Sequence, residues 1–194
     1  MKKHLLLPLF SALLLVFASP MVSFGQTLAA GDLAIIGVSV DNEDVLLVAL
    51  TDILAGESVF ITDEEWNGTS FINPGEGFYE WVTPAITAGE VITIDVNGGS
   101  VSVGGTLTSR AGSWALGNSG DGVYIFQTST NVYNTGTYTV LGFAGEDGGD
   151  AGTLTGTGLT LGANAIYFGG DNGIYTGTRT GQTPAEYLAL IYGS

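Results

Sequence analysis

The chain has 194 residues, with 19 Asp and Glu against 4 Lys and Arg, no cysteine, and a formal net charge of −15 at pH 7. A charge of that sign and size disfavours nucleic acid and anionic membranes as partners and favours cations. The only histidine (His4) and the only lysines (Lys2, Lys3) precede an apolar run near the N-terminus, so the rest lacks the side chains of Ser-His-Asp triads, cysteine nucleophiles, Schiff-base lysines, phosphate loops and nitrogen- or sulfur-ligated metals.

Met1-Lys2-Lys3-His4 is a basic start, residues 5–18 are apolar, and Ser23-Phe24-Gly25 supplies small residues at a cleavage spacing, so residues 1–25 read as a secretory signal peptide. The apolar run is shorter than the ~18 residues a spanning helix needs, and Pro20 follows it. Cleavage before Gln26 leaves a single domain, 26–194, in which Arg110 and Arg179 face all 19 carboxylates, a formal charge of −17 once Lys2 and Lys3 have left. The expected destination is secretion or the cell surface, with the periplasm less favoured. Without cysteine there is neither an acyl-anchor motif nor a disulfide, so burial, or burial plus metal, must hold the fold.

Residues 32–40 (DLAIIGVSV) and 45–50 (VLLVAL) flank Asp41-Asn42-Glu43-Asp44 and predict a hairpin. The second run is apolar on both faces, as in a central strand. An echo follows, in which 53–61 (ILAGESVFI) resembles 86–94 (ITAGEVITI). In each copy the isoleucine is expected at the edge of the core, Ala-Gly at the bend and the glutamate in solvent as strand alternation begins. Two copies are too few for a solenoid. Residues 58–63 and 77–82 alternate with period two and read as strands, with Pro74-Gly75 as a turn between them. From Gly98 onward, 100–103, 113–116, 123–127 and 138–144 are strand candidates, 145–158 (GEDGGDAGTLTGTG) reads as a loop plus a weak edge strand, and 163–168 and 174–175 resume the apolar pattern. Thr183-Pro184-Ala185-Glu186 predicts a capped helix with Tyr187, Leu188 and Ile191 on one face. The expected fold is all-β, a mainly antiparallel β-sandwich with a short C-terminal helix.

Candidate site residues gather between the strands at 58–63 and 77–82. Asp63, Glu65, Asn67 and Glu76 are oxygen donors within one loop, the kind calcium takes, although their spacing matches no EF-hand. Trp66 and Phe71 are candidate ligand-binding aromatics, with Trp66 expected on the surface and Trp81 and Trp114 inside. Asp41, Glu43 and Asp44, and Glu146, Asp147 and Asp150, are further acidic clusters. Glu76 and Glu80, taken on one strand face, would lie about 13 Å apart at ~3.3 Å per residue, too far for a glycosidase pair. Asn67-Gly68-Thr69 matches a glycosylation pattern. No catalytic residues emerge.

Gly31-Asp32-Leu33-Ala34, Leu50-Thr51-Asp52-Ile53 with Ala55-Gly56, Thr62-Asp63 before Trp66, Gly75-Glu76-Gly77 before Trp81, and Asp171-Asn172-Gly173-Ile174-Tyr175 together resemble an uncharacterised secreted β-domain common in extracellular proteins of Bacteroidota. The resemblance spans nearly all of 26–194 and implies an accessory or binding role. The chain differs in ending at Tyr192-Gly193-Ser194, where similar sequences continue through an Asn-Trp segment. The expectation is a non-catalytic adhesive or structural module at or beyond the cell surface, calcium-stabilised, with a glycan or surface protein as partner. The alternatives are a carbohydrate-binding module and a self-associating subunit of an extracellular polymer.

Overall fold

The computed structural model describes residues 27–72, 74–117, 120–130, 132, 135–146, 152–168, 172–174, 183, 186–187 and 189. The predicted signal peptide, Asp147, Asp150 and most of the predicted C-terminal helix lie outside them. The strands are β1 (Leu33–Ser39), β2 (Asp44–Ala49), β3 (Ser58–Thr62), β4 (Phe78–Val82), β5 (Val91–Asp95), β6 (Ser100–Val101), β7 (Thr106–Ala111), β8 (Gly122–Thr128), β9 (Tyr138–Glu146), β10 (Ala165–Phe168) and β11 (Asn172–Ile174). They form a five-stranded sheet, β11-β1-β2-β5-β6, and a six-stranded sheet, β10-β9-β8-β3-β4-β7. Every pairing is antiparallel except β10 on β9.

β1 and β2 make the expected hairpin, from Leu33 opposite Ala49 to Ser39 opposite Asp44. β2 is flanked by β1 and β5, which explains its apolar character on both faces. Val45, Leu47 and Ala49 join the core shared by the two sheets, together with Val59, Ile61, Trp81, Ile92, Ile94, Val123, Ile125 and Leu141. Leu46 and Val48 face the other way, into a cluster with Ala34, Ile36 and Tyr187. This is the two-sided burial of a sandwich-like pair of sheets.

The internal echo has a structural counterpart. Ile53 and Ile86 form an isolated antiparallel bridge with each other, exchanging N–H to carbonyl bonds at 2.9 Å in both directions. Gly56 and Gly89 then turn the chain at φ of 89° and 90°, a region open to glycine at little steric cost. The first copy feeds β3 of the six-stranded sheet, and the second feeds β5 of the five-stranded one. The repeat thus sends one strand to each layer from a common point.

Two expectations need correction. Residues 113–116 are not a strand: Ser113 makes only a bridge to Glu76, and the strand of this region is β7 at Thr106–Ala111. That segment is polar and largely solvent-facing because it ends the sheet, so the hydrophobic alternation that marks half-buried strands is missing. The edge strand expected within 145–158 is also absent among the described residues; 145–146 extend β9, and 152–158 are turns and irregular chain. Of the predicted C-terminal helix, the described residues show the cap: Glu186 N–H donates to Thr183 Oγ1, and Thr183 N–H donates to Glu186 Oε2. No named helix lies within the described residues.

Candidate functional site

The outer face of the six-stranded sheet determines what the 63–76 loop does. Phe60 on β3, Phe78 on β4 and Phe126 on β8 share that face, with ring centroids 5.2 to 5.6 Å apart, because residues two apart on a strand point the same way. Such a face must be covered, and the loop after β3 folds back over it. Phe71 lies 4.6 Å from Phe126, and Trp66 lies 5.0 Å from Phe71 in an edge contact. Trp66 is 4 % exposed and Phe71 3 %, and the Trp66 indole N–H donates to the Thr155 carbonyl at 2.9 Å. The expectation of an exposed Trp66 is therefore overturned: Trp66 and Phe71 are a lid on an aromatic second core. Trp81 and Trp114 are inside, as expected.

The acidic residues of the loop are turned to similar work. Asp63 is 4 % exposed; its Oδ1 accepts from Gly77 N–H at 2.6 Å and its Oδ2 from Ala115 N–H at 2.9 Å. Burial pushes its carboxyl up to about 6, against the pull of those bonds and of its own amide, with Asp121 adding to the rise. Two further carboxylates extend the pattern. Leu116 N–H donates to Glu43 Oε2 at 3.1 Å, and Gly117 N–H donates to Asp121 Oδ2. Three consecutive amides of an irregular strap, 115–117, are thus satisfied by carboxylates, Asp63 and Glu43 from distant loops and Asp121 from the strap's own. Gly77 belongs to the same device, since a Cβ there would sit 2.6 Å from Trp114 Cα.

Glu64 is fully buried and helps raise the Tyr138 hydroxyl, which burial already pushes up. Glu65 does the same to Tyr124, after burial and Tyr167, and its Oε2 is buried without a hydrogen-bond partner among the described residues. Asn67 is exposed at the loop tip, where its Oδ1 accepts from Thr69 N–H and Ser70 N–H. Glu76 bridges to Ser113 through the backbone. The four predicted ligands Asp63, Glu65, Asn67 and Glu76 thus fall into separate roles, and among the described residues no three Asp or Glu side chains gather where they could hold a metal ion.

Glu80, which the sequence sets on one strand face with Glu76, is 4 % exposed. It takes Ser58 Oγ–H at 2.6 Å on one oxygen and Arg110 on the other. Neither this group nor the Glu43 contact was legible in the sequence, since the partners lie 22 to 73 residues apart. Comparison with protein-family models, with curated proteins and with solved structures returned no match to this chain.

Proposed function

We propose that the chain is a non-catalytic, exported module with an adhesive or structural role at or beyond the cell surface, stabilised by calcium. The observation that supports this most is the employment of Asp63, Glu43, Asp121 and Glu80, which lie buried or at loop ends and hold backbone amides or Arg110. Carboxylates spent in this way rigidify a scaffold. A glycan-stacking role loses its central ring with the burial of Trp66.

Calcium enters through charge, because a −17 chain gains from neutralisation. The loop carboxylate best placed to contribute is Glu65, whose buried Oε2 lacks a hydrogen-bond partner among the described residues. Melting with calcium and with a chelator, at fixed ionic strength so that screening is constant, tests the reading. At a hundred times the dissociation constant, calcium stabilises by about 2.7 kcal/mol, a shift of several degrees. The shift is expected in wild type and reduced in Glu65→Gln; an identical melt with calcium and chelator removes the ion from the proposal.

A further inference from the structure

We propose that Asn67-Gly68 is a self-modification site, at which the loop converts Asn67 to aspartate or isoaspartate through a succinimide. Asn67 is exposed, and its Oδ1 accepts three hydrogen bonds: from Thr69 N–H at 2.9 Å, Thr69 Oγ1–H at 3.0 Å and Ser70 N–H at 3.0 Å. When the Gly68 backbone nitrogen attacks Asn67 Cγ, a new N–C bond forms and negative charge develops on that same oxygen. Donors already aimed at an atom where charge develops stabilise the intermediate without reorganising, the arrangement of an oxyanion hole.

The rest of the step balances with solvent alone. Collapse of the intermediate breaks the Cγ–Nδ2 bond, and Nδ2 leaves as ammonia carrying the proton that Gly68 gives up. Ser70 Oγ lies 3.4 Å from Nδ2 and accepts from it, so a hydroxyl stands beside the leaving nitrogen. Water then adds to one carbonyl of the ring. Opening on one side gives aspartate, and opening on the other gives isoaspartate; neither needs an oxidant or a second substrate. Gly68 presents no side chain to hinder the attack, and it stands at φ 108°.

The product changes the lid. Aspartate at 67 adds a negative charge to the loop that already carries Glu64 and Glu65. Isoaspartate inserts a carbon into the backbone of a turn closed by Asn67 N–H on the Ser70 carbonyl at 3.1 Å and by the Trp66–Phe71 bridge.

The chain carries its own control. Asn97-Gly98 is the same dipeptide on another exposed turn, but there Gly98 N–H donates to Asp95 Oδ1 at 2.6 Å, which occupies the attacking nitrogen, and among the described residues Asn97 Oδ1 has no such set of donors. The folded protein is incubated at neutral pH in isotopically labelled water, and label uptake at residues 67 and 97 is followed by peptide mass spectrometry. Residue 67 should convert at least about ten-fold faster than residue 97, Thr69→Ala should slow it, and denaturation in urea should bring the two rates together. Thr69 is exposed, so its loss leaves the fold in place, which an unchanged melt verifies. Equal rates at 67 and 97 in the folded protein, an intact amide at 67, or a Thr69→Ala rate equal to wild type would each overturn the proposal.

Discussion

Asp63 shows how a single buried carboxylate shapes the response to pH. Burial holds its folded carboxyl at about 6, above the ordinary 3.8, so between those values the folded protein holds a proton that the unfolded chain has released. The contribution is fully present below about pH 4 and is lost as pH rises through 6; about two units correspond to about 3 kcal/mol. Wild type should therefore gain stability from this residue as pH falls from 7 to 4. Asp63→Asn should lose that gain, because the amide does not titrate. It should also melt lower throughout, since its NH2 group would face a backbone N–H where an acceptor is required. The difference between the two melting curves across pH isolates Asp63 from Asp44, which burial and Asp95 push up, and from Glu186, which the Thr183 hydrogen bonds pull down. Parallel curves would contradict the assignment.

Elements in this protein are defined by what covers them. The outer face of the five-stranded sheet carries Ala34, Ile36, Leu46 and Val48, and Tyr187 from the C-terminal segment seals it with no exposure of its own. Tyr187→Ala should cost about 3 kcal/mol by leaving a cavity over that face, while Thr183→Ala, which removes the cap, should cost about 1 kcal/mol. Deleting residues 184–194 should lower the melting temperature at least as far as Tyr187→Ala. A truncated protein that melts unchanged would mean that the segment is a free tail. β7 is the opposite kind of element: it closes one end of the six-stranded sheet with polar residues and Arg110. Charge and polarity on an edge discourage pairing with other chains, and the same polarity hid the strand from the hydrophobic pattern.

At the scale of the whole molecule, an exported chain cleaved before Gln26 would contain no lysine, and cyclisation of Gln26 would remove its last primary amine. Amine-reactive dyes should then leave the purified protein unlabelled, and intact mass should lack residues 1–25; retention of Lys2 and Lys3 would refute the export reading. The sequence by itself determined the all-β class, the hairpin of β1 and β2, the central place of β2, β3 and β4 as strands either side of one loop, and the interior position of Trp81, because period-two alternation and turn residues are local signals. It also determined the chemistry that residues after the apolar run can offer, by what they lack. Only the tertiary structure decided the fate of Trp66 and Phe71, of Glu80, and of the carboxylates around the 115–117 strap. A tryptophan beside acidic turn residues looks exposed when read locally. Its burial follows from an aromatic sheet face built by β3, β4 and β8, which exists only once those strands have paired, and whose exposed apolar area leaves the loop no better place than on top of it.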